Sequence, residues 1–243
     1  MKKLLLIPVA VVGALLAVTA AQAAYSLFGD AALVSPGNAS MYAARITSAS
    51  AIPPSYGGVS FTVPSGTTVN DLNTLGTDYL VVAGDCGGGS PRFQIRVDMD
   101  DDGVASTGDK NIFVYIGPAP GFTLCPPGWQ SDGNLLSDVD NRVDTGQVGG
   151  TFYDTWANAQ TLVGTKKVIR ISLVADSSWN SSLDPSTFDV DNVDINGELY
   201  TFEPPVPADK DACKESGWEA LTRADFTPFK NQGDCIQYVN TGK

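Results

Sequence analysis

Between Arg92 and Asp98 the chain alternates with a period of two: Phe93, Ile95 and Val97 are apolar, while Arg92, Gln94, Arg96 and Asp98 are polar. Only an extended backbone sends successive side chains to opposite faces, so this segment predicts a strand with one face in a core and the other open. Ile112, Val114 and Ile116 can share that core, which leaves Phe113 and Tyr115 on the open face beside Gln94 and Arg96. Similar short apolar runs, cut by Gly, Pro, Asn and Asp, predict strands at 42–47, 58–63, 79–83, 111–117, 168–175, 188–195 and 199–202. Many short strands separated by turn residues predict a mainly β fold built as an antiparallel β-sandwich. One helical period interrupts them. Within 153–163, Trp156, Ala159, Leu162 and Val163 fall on one side, and Gly164 supplies a stop.

The ends of the chain differ from this pattern. Lys2 and Lys3 precede an apolar run from Leu4 to Val18, and Ala21-Gln22-Ala23 offers the small residues that a signal peptidase reads. Residues 1–23 therefore predict a signal peptide cleaved before Ala24, a mature protein that does not span a membrane, and a secreted or extracellular location, the cell envelope included. Four cysteines in an exported chain favour bridges. Cys86 and Cys125 fall in the β region, and Cys213 and Cys235 lie beyond the Pro-rich segment 203–211, so the economical pairing is Cys86 with Cys125 and Cys213 with Cys235. The chain thus divides into a sandwich at 24–202, a linker at 203–211 and a bridged module at 212–243. In the tail after Pro207, Asp209 or Asp211 can cap a short helical turn ending at Gly217. Trp218 begins an extended stretch, and Asn231 or Asp234 can start a helix closed near Gly242.

The segment Asp98 to Asp109 carries the clearest chemistry. Asp98, Asp100 and Asp102 stand at loop positions one, three and five, with Gly103 at six, the Val104 carbonyl at seven, the Ser106 hydroxyl at nine and Asp109 at twelve. That is the oxygen spacing of an EF-hand-type calcium loop, although Asp replaces the usual closing Glu and strands replace the flanking helices. The segment is read either as a structural calcium loop on a hairpin or as a solvated acidic turn. Asp138, Asp140 and Asp144 form a looser acidic set. Asp189, Asp191 and Asp194 are read as the polar face of a strand.

Function classes narrow by exclusion. The chain has no histidine, which removes Ser-His-Asp couples, imidazole zinc sites and a histidine base. Against 15 Lys plus Arg stand 27 Asp plus Glu, a net charge of -12, so phosphate backbones are repelled and nucleic acid is not expected as a partner. Trp129, Trp156 and Trp179 can stack on sugars, but aromatic residues bury large areas and most often serve as core or loop anchors. Gln94, Arg96, Phe113 and Tyr115 make the better ligand platform, an aromatic face beside planar hydrogen-bonding groups, with ordinary cross-strand packing as the competing reading. No catalytic pair is marked by spacing; Tyr115 with Arg96 is the conceivable lyase couple.

Two resemblances add to this reading. Cys213-Lys214, Gly217-Trp218 and Phe229-Lys230-Asn231-Gln232-Gly233-Asp234-Cys235 with Tyr238-Val239 resemble a short Cys-bridged module at the C-termini of secreted bacterial proteins of uncharacterised function, which implies export. Residues 171–179 followed by 188–197 resemble the closing strands of secreted bacterial jelly-roll, carbohydrate-binding-like domains. This implies a jelly-roll-like sandwich and a glycan or cell-envelope polysaccharide as ligand. The combined expectation is a secreted binding or structural protein with a structural calcium loop. The alternatives are a polysaccharide-acting hydrolase or lyase that works without histidine, and a structural subunit of an extracellular assembly.

Overall fold

The structure, a computed structural model, describes residues 25–48, 56–137, 140–176 and 185–243. The expected signal peptide, Asp138 and Trp179 lie outside the described residues. In chain order the strands are β1 (Tyr25–Gly29), β2 (Ala31–Val34), β3 (Ala43–Ser48), β4 (Tyr56–Phe61), β5 (Leu75–Ala83), β6 (Arg92–Val97), β7 (Lys110–Tyr115), β8 (Gln130–Ser131), β9 (Val143–Asp144), β10 (Val168–Asp176), β11 (Ser186–Ile195) and β12 (Glu198–Tyr200). The helices are α1 (Trp156–Val163) and α2 (Gln232–Thr241). One antiparallel sheet runs β1-β4-β10-β6-β7-β9; the other runs β2-β3-β11-β5-β8, with β12 paired to β11. Strands adjacent in space are mostly distant in sequence, which gives the jelly-roll-like sandwich its long-range wiring.

Each sheet buries one face. Val59, Phe61, Phe93, Ile95, Ile112, Val114, Ile171 and Leu173 come from the first, and Ala44, Ile46, Leu75, Tyr79, Phe188 and Val190 from the second. The chain enters by changing sheets between β1 and β2. Gly29 makes that corner with φ +61°, and a Cβ there would stand 2.0 Å from the Tyr56 carbonyl oxygen, so no other residue fits without backbone movement. Helix α1 is capped by Thr155, whose side chain accepts the Asn158 N–H at 3.1 Å, and Trp156 Nε1 donates to the Leu72 carbonyl at 3.2 Å. Trp156, Ala159 and Val163 are buried, but Leu162, expected beside them, is 38% exposed. A helix of eight residues meets the core along the narrow i, i+3, i+7 line, and Leu162 falls off it.

The disulfides join Cys86 to Cys125 and Cys213 to Cys235. The first ties the loop after β5 to the loop before β8. The fit is close: a Cβ on Gly117 would lie 2.9 Å from Cys125 Sγ. The acidic residues of β11 serve structure. Asp189 holds Arg45 through two bonds of 2.7 and 2.9 Å. Asp191 is fully buried and accepts from the Asn38 and Asn192 amides and the Ser40 hydroxyl, pinning the loop before β3 onto the sheet. Burial pushes its carboxyl pKa up, against the pull of those donors. Asp194 accepts the Gly197 N–H at 2.7 Å and turns the chain into β12.

The C-terminal module packs on Cys213, Phe229 and Cys235, flanked by Trp218, Leu221, Ile236, Tyr238 and Val239. Asp209 caps the first turn through the Asp211 and Ala212 amides. Trp218 does not begin an extended stretch: Gly217–Ala220 form a 3-10 turn, because the indole must fold back onto the disulfide for the module to bury anything. Asn231 caps α2 by accepting the Asp234 N–H, and Gly242 ends it with φ +70°. The Pro-rich segment is docked. Glu203 Oε1 accepts the Met41 and Tyr42 amides, Thr222 N–H reaches the Pro205 carbonyl, and the Phe226 ring stands edge-on to Tyr42 at 4.8 Å. Among the described residues no helix is long and apolar enough to cross a membrane.

Candidate functional site

The outer face of the first sheet is set by strand register. Phe28, Gly58, Val174, Arg92 and Tyr115 lie in one row across β1, β4, β10, β6 and β7, and Ser26, Ser60, Ser172, Gln94, Phe113 and Asp144 form the next, ending on β9. With strands about 4.8 Å apart, five strands span about 19 Å, the length of a short oligosaccharide. Phe113 therefore faces Gln94 directly, whereas Tyr115 faces Arg92. Arg96 faces Asn111 and is turned away to the hairpin loop, where its guanidinium donates to the Ser106 carbonyl and stands 3.8 Å from Asp109. Register and loop chemistry thus separate Tyr115 from Arg96, the conceivable lyase couple.

Polar groups on this face are fixed in place. Arg92 holds Asp176 through bonds of 2.7 and 2.6 Å, donates to the Gly89 carbonyl at 2.7 Å and lies over the Phe113 ring at 4.8 Å. Asp144 accepts the Tyr115 hydroxyl at 3.1 Å and the Gly146 N–H at 2.8 Å. Burial, followed by the Asp144 carboxylate, drives the Tyr115 phenol above its ordinary pKa. It remains a protonated donor. Gln94 donates to Asn111 at 3.2 Å, and Arg170 stands exposed without an ion pair to any described residue.

At one corner the face becomes aromatic. Tyr115, Phe122 and Tyr153 form a triangle with centroids 5.7 to 6.0 Å apart, and the Phe122 and Tyr153 planes are inclined by only 24°. With Phe152, Gly88, Gly89 and Gly121 they line a cavity of about 270 Å³. Tyr153 is 56% exposed and Phe152 51%. Phe122 and Tyr153 both sit in the left-handed region, with φ +53° and +56°, a conformation that costs a non-glycine residue roughly 1–3 kcal/mol. The loop that presents Tyr153 is held by Asp154, which accepts the Thr145 hydroxyl, the Asn158 amide and the Thr155 N–H. Arg142 lies over the Phe122 ring at 5.1 Å. A neighbouring hollow, shared through Gly89 and Tyr115, adds Arg92, Phe113, Asp144 and Gln147, and a groove of about 460 Å³ on the far side of the Arg92–Asp176 pair is lined by Phe28, Tyr56, Gln94 and Arg170.

Sequence reasoning singled out Tyr115, Phe113 and Gln94 but missed Phe122, Phe152 and Tyr153. The available signal was their setting: Gly121-Phe122 and Gly150-Thr151-Phe152-Tyr153 place aromatics in glycine-flanked loops. Trp156 is in the core, and Trp129 is half-buried outside the cavity. In the acidic loop, one carboxylate oxygen from each of Asp98, Asp100 and Asp102 lies within 4.8 Å of the others. Asp109 stands apart from them, accepting the Met99 and Ser106 amides, while Ser106 Oγ accepts the Gly108 N–H and Val104 is exposed.

No family model matches the chain, and no curated protein sequence matches it. Among solved structures, the fold is similar to the family 11 carbohydrate-binding module of the cellulosomal cellulase Lic26A-Cel5E of Clostridium thermocellum. That similarity has 14% identity and a TM-score of 0.41, over 70% of this chain and 86% of that one.

Proposed function

We propose that the chain is an exported glycan-binding protein whose ligand lies across the outer face of the first sheet and stacks at the aromatic corner. The observation that carries this reading is the near-parallel pair Phe122 and Tyr153 at the mouth of a cavity, beside hydrogen-bonding groups already fixed by other partners. Large aromatic side chains normally gain by burial; here Phe122 is buried, but the left-handed backbone at Tyr153 leaves that ring 56% exposed beside it at the cavity. A pyranose has apolar C–H faces and a rim of hydroxyls, and it matches a surface that offers rings in the middle and Arg92, Asp144 and Gln147 at the edge. Because these groups are pinned before any ligand arrives, little side-chain entropy is lost on binding. The two disulfides support an oxidising compartment.

Binding is favoured over turnover by the state of the carboxylates. Asp176 is tied to Arg92, and Asp144 accepts from Tyr115 and Gly146, so both serve to orient the face and keep acceptor sites for a ligand hydroxyl. A panel of soluble and insoluble polysaccharides, scored for retention and for release of reducing ends, tests the reading. Retention without product release is expected, and Tyr153→Ala should weaken the retained glycan at least tenfold, or about 1.4 kcal/mol. Release of reducing ends supports the hydrolase instead. A wild-type protein that retains nothing supports the structural subunit.

A further inference from the structure

The glycan platform leaves the β6–β7 loop unused, and one buried atom there is unexplained. Asp98 follows the core residue Val97 directly and is fully buried. Its Oδ2 accepts the Gly103 N–H at 2.8 Å, but its Oδ1 is buried with no hydrogen-bond partner. A carboxylate oxygen taken out of water with no donor of its own carries a desolvation penalty. The same side chain converges with Asp100 and Asp102. Their mutual repulsion adds to that penalty, and Lys166 is engaged beside them: its Nζ bonds Asp101 Oδ2 at 2.7 Å and the Met99 carbonyl at 3.0 Å.

We propose that Asp98, Asp100 and Asp102 hold a calcium ion, with Asp98 Oδ1 as the buried ligand. All three donors are oxygens, which selects a hard cation over a thiophilic one. Gly103, with φ +75° and open space where a Cβ would be, lets the chain turn around the ion after the third carboxylate. Asp102 Oδ1 already accepts the Val104 N–H at 2.7 Å, so this carboxylate is oriented before binding. Asp109 acts differently from a closing EF-hand ligand. With the Met99 and Ser106 amides on its two oxygens and Arg96 alongside, it ties the two ends of the loop together. Three carboxylates on one short loop crowd the ion, which calcium, with six to eight oxygens in flexible geometry, accommodates, and magnesium, which keeps a strict octahedron and gives up its waters reluctantly, accommodates poorly. Because the loop joins β6 to β7, the ion braces the hairpin that carries Gln94, Arg92, Phe113 and Tyr115.

The test needs no glycan, so its failure and that of the glycan reading are separable. Calorimetric titration and thermal unfolding of the secreted protein are run with calcium chloride, magnesium chloride or chelator, for wild type and Asp100→Asn. Asp100 is exposed, so the variant should fold. One calcium per chain is expected, with affinity in the range of about 0.1–1 mM typical of extracellular modules. The midpoint should rise in calcium relative to chelator, and Asp100→Asn should weaken binding at least tenfold. No heat and no midpoint change up to about 10 mM calcium, equal binding by the variant, or equal response to magnesium would each overturn the assignment.

Discussion

The sandwich and the C-terminal module solve the same problem with different means. The sandwich closes around a contiguous core contributed by both sheets. The module buries only Cys213, Phe229 and Cys235, and its remaining apolar residues are partly wet. A core this small gives little hydrophobic stabilisation, so the module depends on restricting its unfolded chain with a bridge across 22 residues and on Arg223. That arginine pairs with Asp234 at 2.7 Å, donates to the Pro228 carbonyl and lies over Phe229. In the sandwich the bridge between Cys86 and Cys125 fixes a loop on an already sufficient core. The same covalent device is decisive in one region and supplementary in the other.

Three variants sharpen this contrast. Phe93 is fully buried between the sheets, so Phe93→Ala should destabilise the sandwich by about 3–5 kcal/mol. Denaturant unfolding followed by hydrogen exchange should show the loss spread over β4, β6, β7 and β10, with α2 unchanged. Replacing Cys213 and Cys235 together by serine should remove about 3 kcal/mol from the module. That is enough to abolish its exchange protection while the sandwich keeps its midpoint; a module that stays protected would break the comparison. Phe226→Ala removes the edge-on contact with Tyr42 and should cost about 1 kcal/mol of docking. Limited proteolysis should then cut near Pro205–Pro207 faster than in wild type, while the purified tail fragment keeps its disulfide.

Legibility in the sequence follows the same division between local and long-range causes. The alternation at 92–97 marks β6 to within one residue because a half-buried central strand must repeat every two residues. Asn231 and Gly242 mark both ends of α2 because caps are local chemistry. β1 and β2 were invisible: they are edge strands whose residues are only partly buried, so no alternation is enforced. β8 and β9, two residues each, exist only through their partners. Within the candidate site, Phe113 and Gln94 were legible as strand residues on one face. Arg96 was assigned to the same platform, yet it bonds a carbonyl ten residues on, in the loop. Phe122 and Tyr153 are brought together from loops 31 residues apart by left-handed turns and by the Asp154 network, and neither cause leaves a periodic trace.

The central claim is that the ligand face is the outer surface of the first sheet with its aromatic corner. Backbone-amide shift mapping of isotope-labelled protein, titrated with an oligosaccharide of the polysaccharide it retains, tests it most directly. Saturable shifts are expected at Gly89, Arg92, Tyr115, Phe122 and Tyr153, with α2 silent and the pattern lost in Tyr153→Ala. Shifts that instead cluster on β3, β5 and β11, or around Trp218 and Tyr238 in the module, would contradict it.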